Sequence, residues 1–134
     1  MGNMGTIIRT LTGFGLNDLA IISPGVDIFD PRVIRASMGA IFKINFKYYD
    51  SFDKYSEKFR KHKFYPFMLK GAISLKEVKH DSNESFSLIF GNEARGLDDS
   101  FSDVGTSVII KHTDRIDSLN LTIAAGIAIY QFIS

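Results

Sequence analysis

The sequence predicts an α/β protein with a mostly parallel sheet and helices on both faces. Short apolar runs of strand length recur along the 134 residues. Stretches with helical apolar spacing lie between them. Strands that alternate with helices favour parallel pairing, because each crossover helix returns the chain to the same sheet edge. The length suits one domain over residues 1–134, and at 45% hydrophobic and 23% charged the chain can build a core.

The elements follow in order. "NMGTIIRTLTGFG" reads as a helix with Asn3 as N-cap, Met4, Ile7, Ile8 and Leu11 on one face, and Gly13 and Gly15 at its end. "LAIIS" (Leu19–Ser23) is a buried strand stopped by Pro24-Gly25. Asp30-Pro31 caps a short helix through Met38. "AIFKINF" (Ala40–Phe46) alternates as a strand does. Asp50 or Ser51 caps a helix whose Phe52, Tyr55 and Phe59 form an apolar stripe, by spacing a core face. Further strands are expected at Phe67–Ile73, Ser87–Gly91 and Ser107–Lys111. A short helical segment is expected near Leu97–Phe101, and a last helix from about Ser118. The small residues Ala124, Ala125, Gly126 and Ala128 suggest close helix packing. Glycine costs a helix about 1 kcal/mol against alanine, so close approach at Gly126 is the expected compensation.

Composition removes several functions. There is no cysteine, and His62, His80 and His112 lack ligand spacing, so a metal site is not expected. Net charge is +1, which announces no nucleic-acid binder. The densest basic run, Lys54, Lys58, Arg60, Lys61 and Lys63 with Lys43 and Lys47 nearby, reads first as a solvated helix face. No apolar window is long enough for a membrane span, and the start has no signal-peptide pattern, so a cytoplasmic protein is expected. Phosphate-loop and dinucleotide fingerprints are absent.

Three polar segments stand at the ends of elements: Asn3 with Arg9, Gly91-Asn92-Glu93 with Arg95-Gly96, and Asp117-Ser118-Leu119-Asn120. In open α/β sheets ligands collect at the carboxyl ends of strands, where the second and third segments fall. Each alone reads equally well as a turn, a cap or a solvated face.

Together, "NMGTIIRTLTGFG", "LIFGNEARGL" and "DSLNLTIAAGIAIY" resemble, in order and spacing, the three motifs of the SpoU family of RNA ribose 2′-O-methyltransferases, in the SPOUT class. "DPRVIRASMGAIFKI" is similar to the stretch after the first motif in members with a separate substrate-binding domain. The resemblance implies a deep C-terminal trefoil knot, S-adenosylmethionine bound in it, a homodimer and an rRNA or tRNA substrate. It implies catalytic roles for Asn3, Arg9, Glu93, Ser118 and Asn120. It places the cofactor against Phe90, Gly91, Asn92, Glu93, Ile110, Ser118, Leu119, Asn120 and Leu121, and RNA against Arg9, Arg35 and Arg95. Two departures stand out. Only Met1-Gly2 precede Asn3, where the family has a strand and an Asp-Pro, so a trimmed start is expected. The third motif, commonly Ile-Pro-Met, here reads Ile110-Lys111-His112. An inactive knotted module that dimerises or binds RNA is the alternative these departures leave open.

Overall fold

The computed structural model describes residues 2–81, 83–92, 95–116 and 119–133. The chain gathers into two compact units, residues 1–60 and 61–134. Every paired strand is parallel, and helices intervene, so the fold is α/β.

The first unit opens with helix α1 (Gly2–Gly13). Ile8 and Leu11 are buried and Arg9 is exposed, as the helical spacing predicts. Asn3 lies inside the first turn rather than capping it, because the helix already begins at Gly2. The far end closes as predicted. Gly15 is left-handed (φ 78°), its N–H donates to the Thr12 carbonyl (3.1 Å), and the Leu16 N–H reaches back to the Leu11 carbonyl (3.0 Å). That pair of bonds satisfies carbonyls that a helix end leaves open.

Helix α2 (Pro31–Ser37) starts at Asp30, whose carboxylate accepts from the Arg32 N–H at 2.8 Å. The Arg32 guanidinium also bonds that carboxylate and holds it below the usual carboxylate range. Helices α1 and α2 meet at Gly5, where a Cβ would run into the Val33 carbonyl and Ala36.

Strand β1 (Asp18–Ile22) pairs in parallel with β2 (Asn45–Tyr49), from Asp18 opposite Asn45 to Ile22 opposite Tyr49. The strand expected over Ala40–Phe46 is instead a 3-10 helix, Ala40–Lys43, followed by β2. Met38 (φ 51°) and Gly39 (φ 85°) turn the chain into it. The buried residues there, Ala40, Ile41 and Ile44, follow a helical rather than a two-residue spacing. Helix α3 (Phe52–Lys58) is capped by Ser51, whose hydroxyl accepts from the Lys54 N–H at 3.2 Å. Its aromatic stripe packs on β2, with Tyr55 edge-on to Tyr49 at 5.2 Å, yet no α3 side chain is fully buried.

In the second unit β3 (Lys63–Pro66) pairs with β5 (Phe86–Ile89), and β4 (Ile73–Ser74) pairs with β6 (Val108–Ile109). A parallel bridge from Phe67 to Val108 joins the two pairs. The strand expected over Phe67–Ile73 is thus mostly a loop, and the true strand precedes it. Pro66 ends β3 without breaking it, because the next donor, the Phe67 N–H, bonds the Ile89 carbonyl at 2.9 Å. The expected helical turn near Leu97 is a 3-10 helix, Asp99–Asp103, capped by Asp98. Hydrogen bonds from Ser100 hold the Asp98 carboxyl below its ordinary range.

Helix α4 (Leu121–Ile133) closes the unit. It begins after Asn120, so the expected start at Ser118 shifts. Its Ala128 and Phe132 join Tyr65, Leu75 and Val108 in the core. Phe132 lies edge-on to Tyr65 at 4.8 Å. No described helix is long and apolar enough to cross a membrane.

Candidate functional site

Asn3, Arg9 and Arg35 lie in the first unit. Asn3 is half-buried and Arg9 exposed, both on α1. Six residues at 3.6 per turn set their side chains roughly 120° apart around the helix and about 9 Å along it. They therefore reach one ligand only if it spans that distance. Arg35 stands exposed in the last turn of α2.

The segments after β5 and around β6 lie in the second unit. Phe90 follows β5, and its ring stacks on Phe67 at 4.7 Å, so its side chain serves the core. Gly91 has a reason internal to the loop: a Cβ there would run into the Gly96 and Leu97 backbone. The Asn92 side-chain oxygen accepts from the Arg95 N–H (2.7 Å), and its carbonyl accepts from the Gly96 N–H (2.9 Å). The loop is thereby closed on itself, with Arg95 exposed. Glu93, between these anchors, lies outside the described residues, as does Ser118.

Asn120 is the N-cap of α4. Its side-chain oxygen accepts from the Ile123 N–H (3.2 Å), and its carbonyl accepts from the Ala124 N–H (2.9 Å). Its amide nitrogen and the second lone pair of its side-chain oxygen are the groups its side chain can offer a ligand. Leu119 and Leu121 flank it, half-buried. Ile110 is half-buried against the core, and its carbonyl lies 3.3 Å from His112 Nδ1.

A groove of about 390 Å³ opens at the carboxyl end of β6. Leu69, Ile109 and Ile116 give it apolar walls, and Lys111, His112, Thr113 and Asp114 give it polar ones. It is an open depression and not an enclosed cavity. Of the residues expected at the cofactor, Ile110 falls between two that line the groove. Leu69 escaped the sequence reading because it sits in the segment taken for a strand. Among the described residues no cluster of three or more His, Asp or Glu could hold a metal ion.

The family model for the SpoU rRNA methylases matches residues 1–130. The chain belongs to the SpoU rRNA methylase family. A 23S rRNA (adenosine(1067)-2'-O)-methyltransferase from Streptomyces laurentii is 33% identical over 135 residues, which cover 98% of this chain and 49% of that protein. An AdoMet-bound rRNA methyltransferase from Sinorhizobium meliloti has a similar structure, with a TM-score of 0.89 and 28% identity over 97% of this chain and 50% of the other. A structure concerned with 2-OH methylation of C/U34 on tRNA gives a TM-score of 0.88 and 30% identity, covering 97% of this chain and 85% of the other. The chain spans about half the length of the first curated relatives it matches.

Proposed function

We propose that this SpoU-family chain transfers a methyl group from S-adenosylmethionine to a ribose 2′-hydroxyl of rRNA or tRNA in the cytoplasm. The observation that carries the reading is the family match over residues 1–130, and the candidate cofactor site is the open groove at the carboxyl end of β6. It is formed largely by residues that lead into the third family motif. Mixed apolar and charged walls suit a ligand with a flat base at one end and a zwitterionic amino acid at the other. Leu69, Ile109 and Ile116 would meet the base and Lys111 and Asp114 the charged end, and the family resemblance adds the backbone around Gly91 and Leu119. When bound, this cofactor supplies a methyl group activated by a sulfonium.

The chain's own residues act on the RNA. A ribose hydroxyl attacks only as its proton leaves. A guanidinium does not readily accept that proton, but its planar fork matches a phosphate and stabilises negative charge on oxygen. Arg9 therefore clamps the phosphate beside the target ribose and favours the developing alkoxide. Asn3 orients the same nucleotide, and Arg35 and Arg95 hold flanking backbone. Glu93 and Ser118 complete the motif set by family resemblance.

Two further features belong to this reading. A knotted second unit is supported by the loop 68–73, which wraps the Ser107–Ile109 segment. Met68 N–H donates to the Val108 carbonyl, Ala72 N–H to the Ser107 hydroxyl and Ile73 N–H to the Ser107 carbonyl (2.9, 2.9 and 3.2 Å). A homodimer is supported by α4, whose Ile123, Ile127 and Tyr130 are exposed along one face of a helix without charged residues.

One observation favours a second reading, an inactive module. Lys111-His112 replaces the Pro-Met of the family pattern inside the groove. Calorimetry with S-adenosylmethionine separates the two. Saturable one-site binding that Asp114→Ala weakens supports the enzyme. No heat at millimolar cofactor overturns it in favour of the module.

A further inference from the structure

Phe42 is 80% exposed and Met38 70%, the two most exposed large apolar side chains among those described. They flank a short, well-anchored turn. The Phe42 N–H donates to the Gly39 carbonyl at 3.2 Å, while Ala40, Ile41 and Ile44 are buried with Ile8, Ile21 and Val33. The turn thus presents a rigid aromatic ring outward, and nothing in its own packing requires a phenylalanine there.

The surrounding charge narrows the partner. Between Asp30 and Asp50 every charged residue is basic: Arg32, Arg35, Lys43 and Lys47. Arg32 is tied to Asp30 at 3.0 Å, and Lys47 Nζ sits over the Tyr49 ring at 5.3 Å. Arg35 and Lys43 remain exposed beside Met38 and Phe42. The exposed face of α4 is the useful contrast, since it is apolar without charge, as an interface between protein chains is at its centre. One exposed acid, Asp18, stands opposite Asn45 at the end of this segment, with its carboxylate 3.5 Å from the Asn45 amide. An exposed aromatic flanked by cations in its own segment fits a polyanion with flat apolar faces. Unpaired nucleobases stack on such rings while their phosphates meet Lys and Arg. Two side chains are too few to anchor a membrane surface.

We infer that Phe42, with Met38, Arg35 and Lys43, is a stacking platform for an unpaired base of single-stranded RNA. The inference rests on the RNA-methylating reading and names a feature of its substrate, a base splayed out of a helix. An exposed ring can be removed without opening a cavity, so Phe42→Ala should fold.

The test measures binding of a short labelled oligoadenylate and of an RNA duplex of equal length. Phe42→Ala should weaken the oligoadenylate about tenfold, the usual scale for one lost stack. Duplex binding should stay within about twofold, because A-form helices are held through backbone contacts. Phe42→Trp should retain single-strand affinity. Lys43→Gln should weaken both ligands and lower the salt dependence by about one counterion. The platform is overturned if wild type does not bind oligoadenylate or if Phe42→Ala leaves that binding unchanged. It is also overturned if both RNAs lose affinity equally, or if sedimentation shows that Phe42→Ala breaks up a wild-type oligomer. S-adenosylmethionine calorimetry on the same proteins keeps the two readings apart. Absent cofactor binding with a Phe42-dependent single-strand affinity sinks the enzyme and keeps the platform. Intact cofactor binding with no Phe42 effect does the reverse.

Discussion

Arg9 and Asn120 reach their positions by different means. Arg9 is set by a regular helix, pinned to the first unit by Ile8 and Leu11 and pressed onto α2 at Gly5. Asn120 and Asn92 belong to connections in the second unit, and each spends its side-chain oxygen on a nearby backbone N–H. Those connections are located by chain crossing chain. Gly71 lies so near the Val108–Ile109 backbone that a Cβ would overlap it, and Gly105 lies as near to Phe64. In the first unit, then, position follows from a local repeat. In the second it follows from contacts between segments far apart in sequence.

The comparison breaks most visibly at glycine. Gly71→Ala puts a methyl into backbone that is itself held by the bonds of Met68 and Ile73 to β6 and its neighbour. Backbone cannot swing aside as a side chain can. The loss should therefore lie near the top of the overpacking range, about 3 kcal/mol. Gly5→Ala should cost less, because of its two closest neighbours only the Val33 carbonyl is backbone and the other is the Ala36 methyl, whereas all the close neighbours at Gly71 are backbone. Urea unfolding of both variants measures the difference. Wild-type stability for Gly71→Ala would mean that the crossing is not tight.

The same contrast explains what the sequence could reveal. Period and capping signals located α1, α2 and α3 and the Gly15 stop, because each is decided within one or two turns of chain. The Ala40–Phe46 segment failed because a left-handed Met38-Gly39 pair imposed a 3-10 turn on residues that also alternate. Phe67–Ile73 failed because the pairing with β5 ends at Pro66 and the chain then runs as a loop from one side of β6 to the other, a choice made by distant partners and not by the segment's own apolar residues. The motif residues of the site were legible only through family resemblance. Asn92 and Asn120 taken alone are a turn and a cap, which is what their hydrogen bonds show. Leu69 carried no signal, since it lines the groove by virtue of a loop that wraps a distant strand.

A smaller effect is expected at Arg9, where fold and chemistry should separate. The side chain is exposed, so Arg9→Lys opens no cavity and unfolding should not change. Lysine keeps the charge but lacks the planar fork. Transfer of labelled methyl to rRNA or tRNA should fall about tenfold, equivalent to about 1.4 kcal/mol in the barrier. S-adenosylmethionine affinity should hold, because the groove belongs to the second unit's own residues. Wild-type turnover would refute the clamp. An equal loss of cofactor affinity would assign Arg9 to the cofactor instead.

The smallest effect sharpens the reading of α4. Gly126 lies in the helix interior, where glycine costs about 0.8–1 kcal/mol against alanine. Among the described residues the expected compensation by close packing is not supplied, for none of them stands within 4 Å of a Cβ built there. Ile123, Gly126, Ile127 and Tyr130 share one helical face by their spacing, and the three large ones are exposed. If a second copy packs on that face, Gly126 is where its backbone or side chains come closest. Gly126→Ala then has two opposed consequences. Below the dimer dissociation constant it should raise unfolding free energy by up to about 1 kcal/mol, through helix propensity alone. The dimer itself should weaken about tenfold, because one methyl at a close-packed contact costs on the order of 1 kcal/mol. Sedimentation across a concentration series reads the second effect, and urea unfolding at low concentration reads the first. A dimer as tight as wild type would move the interface off this face, leaving the glycine without a packing role.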